Sequence, residues 1–136
     1  MVPFRIVYLG DLRTQATHGP SGSVQLTDAP VDNQGKGEAF SPTDNVASAL
    51  ASCMMTIMGI VAKRDGLDLT AMHAEVEKHM TAAPPRRISR VVVRLHLPAA
   101  LAPERREALQ RAAHTCPVAL SLHPDVVQDV SFAYDA

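Results

Sequence analysis

The chain has 136 residues, a formal net charge of −1, 46% apolar and 20% charged residues. That is one soluble domain, large enough to bury a core without metals or disulfides and too apolar to be disordered. Near-neutral charge leaves no basic field for phosphates, and five aromatic residues with no Trp give little for bases to stack on, which argues against nucleic-acid binding.

Residues 1–10 carry a single Arg, no long apolar run and no small-residue cleavage site, which predicts no signal peptide and a cytoplasmic protein. There Cys53 and Cys116 would stay reduced, and two cysteines are too few for a disulfide scaffold. Redox chemistry, metal ligation and simple burial are all open to them. Strands are expected at residues 5–9, 12–18 and 23–27, with turns at Gly10-Asp11 and at residues 19–22. Residues 28–42, rich in Asp, Asn, Gly and Pro, read as a surface loop of about fifteen residues, a length that often carries function. Gly35 and Gly37 are expected to make it mobile enough to cover a site.

Ser41-Pro42-Thr43-Asp44 is a helix start: Ser41 caps, Pro42 suits the first position and Asp44 meets the positive end of the dipole. Residues 46–62 follow without a charge, interrupted only by Ser48, Ser52, Thr56 and Gly59. The run is too short and too rich in small polar residues to favour a membrane span. A helix apolar on all sides has to be covered on all sides. One small domain can hardly do that, so a second subunit is expected against the ridge of Ser48, Ser52 and Thr56. Lys63, Arg64 and Gly66 end the helix.

A hairpin comes next. Met72, Ala74, Val76 and Met80 alternate with His73, Glu75, Glu77 and His79, and beyond a Pro84-Pro85 turn Val91, Val93, Leu95 and Leu97 alternate with Arg90, Val92, Arg94 and His96. The acids of the first strand should face the arginines of the second, and the three histidines should lie on the surface. Pro103 opens a second helix, supported by a Glu107–Arg111 pair, with Leu109, Ala112, Ala113 and Cys116 on one stripe. Pro117 ends it and starts a short third helix. Val130, Phe132 and Tyr134 share one face of a last strand. The class is α+β: three strands, a long central helix, two strands, a helix, a short helix and a strand, in a single domain over residues 1–136.

Cys53 lies about three turns inside the apolar helix, beyond the reach of its dipole. Among Met54, Met55 and Ile57 it needs a cation from elsewhere to react. Cys116, just before Pro117, sits at a helix amino end where a thiolate is favoured, so position alone predicts Cys116 as the more acidic thiol. His114, Cys116 and His123 lack the ligand spacing of a structural zinc site, and no metal or organic cofactor is expected. No G-x-S-x-G elbow is present to suggest hydrolysis.

Phe40-Ser-Pro-Thr-Asp44, the stretch from Ala47 through Cys53 to Ile60, and the motif Ala113-His-Thr-Cys-Pro-Val118 resemble the two cysteine motifs of the OsmC/Ohr family, osmotically inducible protein C and organic hydroperoxide resistance protein. The motifs stand 63 residues apart with the same order of elements between them, so the resemblance spans essentially the whole chain. It implies an intertwined homodimer with two central helices and a site at the subunit interface. It also implies a thiol peroxidase of oxidative-stress defence that reduces organic hydroperoxides and is restored by an external dithiol. Cys53 would be the peroxidatic and Cys116 the resolving cysteine. In the family's hydroperoxidases the residue after the helix-start Pro is a Glu that holds a catalytic Arg from a Gly-Gly-Arg-like turn. Here Thr43 stands in that place with Asp44 following, the comparable turn at residues 18–22 has no Arg, and Arg13 is the nearest candidate. Arg13, positioned by Thr43 and Asp44, is thus expected beside Cys53, with Met54, Met55 and Met58 as an apolar wall for the substrate. The alternative is a dimeric small-molecule-binding protein on the same fold, without peroxidase activity. Neither version needs nucleic acid or a membrane.

Overall fold

The computed structural model describes all residues, Met1–Ala136. The strands and helices follow in the expected order: β1 (Phe4–Gly10), β2 (Arg13–His18), β3 (Val24–Asp28), α1 (Pro42–Asp65), β4 (His73–Met80), β5 (Ile88–His96), α2 (Pro103–His114), α3 (Pro117–Ser121) and β6 (Val127–Ala133). They fall into two compact units, Met1–Asn45 and Val46–Ala136.

In the first unit β1, β2 and β3 form an antiparallel meander. Left-handed backbone at Gly10, Asp11 and Leu12 makes its first turn. Alternation puts Phe4, Ile6 and Tyr8 on one face and Val7, Leu9 and Leu26 on the other, and all six are exposed. This small sheet has apolar surface on both sides and little core of its own.

The segment after β3 differs from the mobile loop expected. A 3-10 turn at Val31–Asn33 is followed by hydrogen bonds from the Gly35 N–H to the Pro30 carbonyl (3.0 Å) and from the Gly37 N–H to the Ala29 carbonyl (3.1 Å). A Cβ on Gly35 would sit 1.7 Å from the Ala29 oxygen. That glycine is required for close backbone approach, and it ties the segment down instead of loosening it.

A reciprocal cap opens α1. The Asp44 N–H donates to the Ser41 hydroxyl (3.1 Å), and the Ser41 N–H donates to the Asp44 carboxylate (2.8 Å). The helix buries Ala47, Leu50, Ala51, Met54, Met58 and Ala62 along one stripe. Ala49, Ser52, Thr56 and Ile60 form an uncovered stripe at helical spacing, with open space beside Gly59. Its length and apolarity are those of a membrane-crossing helix, yet the buried stripe packs into a protein core.

That core belongs to the second unit. Sheet order is β4-β5-β6, with β5 central, antiparallel to β4 and parallel to β6. Val91, Val93, Leu95 and Leu97 are fully buried and pack with Leu50, Met54, Met58 and Leu109. At roughly 1.5–3 kcal/mol for each large aliphatic side chain, this cluster is the main stabilising element of the unit. On the other face, one acid–arginine pair takes the expected form: Glu75 opposes Arg94, 3.7 Å apart. Arg90 instead pairs with Asp129 of β6, and Glu77 pairs with His79 of its own strand. A central strand has neighbours on both sides, and the alternating pattern of a hairpin does not reveal the second one.

Candidate active site

Cys53 and Cys116 are both free and both in the second unit. Cys53 rides on α1 and is half-buried, packed against the edge of the core. Cys116 is the N-cap of α3, in the short link from α2, and is completely buried. Its sulfur accepts a hydrogen bond from the Ala119 N–H at 3.3 Å, and Cys53 packs against the core cluster that contains it.

Burial is the largest influence on Cys116 and pushes its thiol above the ordinary range. The Ala119 N–H pulls the other way, and the neighbouring Cys53 raises it further. The thiolate-favouring helix end expected at Cys116 is thus opposed by its burial. A five-residue helix offers a small dipole, and excluding water from every side of the sulfur outweighs it.

Met54 and Met58 are fully buried among the β5 side chains, so they back the helix that carries Cys53 and do not line an open wall. Met55, on the next face, is half-buried.

Arg13 belongs to the first unit, at the start of β2 and opposite Asp28 of β3. Its Nη2 lies 3.4 Å from the Asp28 carboxylate and also contacts the carboxylate of Glu38. Asp28 is buried and accepts the Glu38 N–H at 2.9 Å. That N–H first, and the Arg13 charge after it, hold the Asp28 carboxyl below its usual range. Glu38 in turn holds the Arg13 guanidinium more firmly protonated. A space of about 130 Å³ lies against this trio, walled also by Leu9, Leu26 and Ala39. The Ser41 and Thr43 hydroxyls are 3.1 Å apart, beside the Asp44 cap. Asp28 and Glu38 are partners of Arg13 that the sequence did not single out. Asp28 was reachable by counting back from the turn at residues 19–22, which sets it opposite Arg13. Glu38, 25 residues from Arg13, gives no local signal.

The model of the family described as OsmC-like protein matches residues 35–131, a span that contains both cysteines and all of α1. The chain belongs to this OsmC-like family. Among solved structures, this OsmC-like protein is similar to one from Psychrobacter arcticus, provisionally described as an osmotic stress induced and detoxification response protein. The two share 48% identity with a TM-score of 0.92, covering 97% of this chain and 96% of the other. It shares its fold with an organic hydroperoxide resistance protein OsmC from Legionella pneumophila (20% identity, TM-score 0.76, covering 98% and 96%). The fold is also that of an organic hydroperoxide resistance protein from Elizabethkingia anophelis (12% identity, TM-score 0.77, covering 99% and 96%). No curated protein matches the sequence. The α+β class and order of elements expected from the residues are those of this family's fold.

Proposed function

We propose that this OsmC-like protein is a cytoplasmic, homodimeric thiol peroxidase for organic hydroperoxides. The observation that carries the reading is the pairing of a half-buried thiol, Cys53, with a fully buried thiol, Cys116, in the core cluster against which Cys53 packs. A peroxide reaches only the first. The Cys53 thiolate attacks the outer oxygen of the hydroperoxide and the O–O bond breaks. An alcohol leaves with a proton, and Cys53 becomes a sulfenic acid. The Cys116 sulfur then displaces water from that sulfenic acid to form a disulfide, and an external dithiol returns both thiols by exchange while becoming a disulfide itself. Burial keeps Cys116 away from peroxide until an electrophilic sulfur forms on Cys53. Arg13, held by Asp28 and Glu38, is proposed from the family resemblance as the cation for the Cys53 thiolate. No metal or organic cofactor takes part.

One observation favours the second reading, a small-molecule-binding dimer. A trough of about 810 Å³ lies over one face of the β1–β3 sheet, lined by Phe4, Ile6, Ala16, His18, Val24 and others. Thiol counting separates the two. After one equivalent of cumene hydroperoxide, the reduced peroxidase loses both thiols and gains an intramolecular disulfide. Full retention of both thiols would overturn the peroxidase and leave the binding protein.

A further inference from the structure

We infer that His73 and His96 form a site for one imidazole-seeking divalent cation (nickel, zinc or copper) on the solvent side of the β4–β5 sheet, away from the thiols. The two residues are direct cross-strand partners, with rings stacked at 4.6 Å between centroids and 2° between planes.

Their hydrogen bonds fix which nitrogen carries the proton. His73 Nδ1 lies 3.2 Å from the Ala71 carbonyl, and His96 Nδ1 lies 2.7 Å from the Asp135 carboxylate. Both oxygens can only accept, so each Nδ1 donates, and each neutral ring keeps its free lone pair on Nε2. Metal-binding histidines are commonly prepared in this way, with the far nitrogen tied to a carboxylate or carbonyl. His96 Nε2 is also shielded from water with no hydrogen-bond partner, so it is an acceptor that lacks a donor. The Glu75 carboxylate stands 3.8 Å from it.

The chemistry selects the ion. Two imidazoles with a single nearby carboxylate, itself 3.7 Å from Arg94, are a poor site for calcium or magnesium, which need several oxygens. They suit the later first-row divalent metals. Nowhere in the chain do three or more His, Cys, Asp or Glu side chains converge into a ready cage. Water therefore completes the shell. In the stacked pair the two Nε2 lone pairs lie in parallel planes and do not converge, so sharing one ion requires the exposed His73 ring to rotate out of the stack while Asp135 holds His96.

Calorimetric titration of the reduced, tag-free protein with nickel(II) near neutral pH tests this site. One ion should bind per chain, and His73→Gln and His96→Gln should each weaken binding by at least about 10-fold. Asp135→Asn, which keeps both ligands, should also weaken it by about 10-fold. Cys53→Ser should leave the nickel affinity unchanged. His73 is exposed, so its substitution spares the fold, which a thermal melt verifies. Absence of saturable binding, an unchanged affinity in His73→Gln, or loss of binding in Cys53→Ser alone would each overturn the site, the last by placing nickel on the thiols.

Discussion

At Cys116 two local effects oppose each other, one N–H at the head of α3 and the loss of water all round the sulfur, and the second is larger. In the Cys53→Ser protein, Cys116 should therefore react with iodoacetamide more slowly than free cysteine at the same pH. A rate equal to or above that of free cysteine would overturn its assignment as the protected thiol. The same variant should consume no peroxide. Cys116→Ser should consume one equivalent and then pass to the sulfinic state in excess peroxide, as mass spectrometry would show. Sulfenylation of Cys116 in the Cys53→Ser protein would reverse the roles. Asp28 has the opposite sign of shift. Its folded carboxyl lies below its unfolded value, so its contribution to stability is full above the ordinary carboxylate range and is lost as pH falls through the folded value. The difference in urea midpoint between wild type and Asp28→Asn should shrink as the pH is lowered past about 3.9, the unfolded value of an aspartate. A difference constant with pH would exclude the Arg13–Asp28–Glu38 network as its source.

At the level of elements, local chemistry was legible wherever it acts over a few residues. Ser41 and Asp44 cap α1 as their spacing indicated, and Ser41→Ala should cost about 1 kcal/mol in chemical denaturation. The alternation from Met72 to Leu97 marked the buried face of β5 correctly, because a period of two reports which side faces the core. It does not report which strand lies beyond, so the parallel partner β6 and the Arg90–Asp129 pair were hidden. The segment after β3 misled for a related reason. Glycine permits both motion and close approach, and only the position of the Ala29 carbonyl decides between them. Gly35→Ala should destabilise the protein by about 1–3 kcal/mol, an overpacking cost, and should increase proteolysis between residues 28 and 40. An unchanged melting temperature would show that the segment yields freely. Of the proposed site, both cysteines were legible from their motifs, whereas the acids around Arg13 depend on how that segment folds.

For the whole molecule, the uncovered apolar surface is the dominant fact. The stripe Ala49–Ser52–Thr56–Ile60 and both faces of the β1–β3 sheet stand exposed in a single chain, more than a soluble monomer normally leaves in contact with water. The dimer proposed above accounts for them. Light scattering at micromolar concentration should give twice 14.6 kDa. Thr56→Arg, which sets a long charged side chain among small ones, should shift the protein toward the monomer and lower its melting temperature. A wild-type mass of one chain with a cooperative melt would refute the dimer.

The parallel pairing of β6 with β5 carries a consequence for how the protein is made. The strand holding Val91-Val92-Val93 acquires its second neighbour only from residues 127–133, more than thirty residues further along the chain. Until synthesis reaches that point, the most β-prone segment of the protein has one bare edge, the kind of template on which other chains aggregate. Premature termination before Val127 should thus yield insoluble material, and newly made chains depend on β6 for protection.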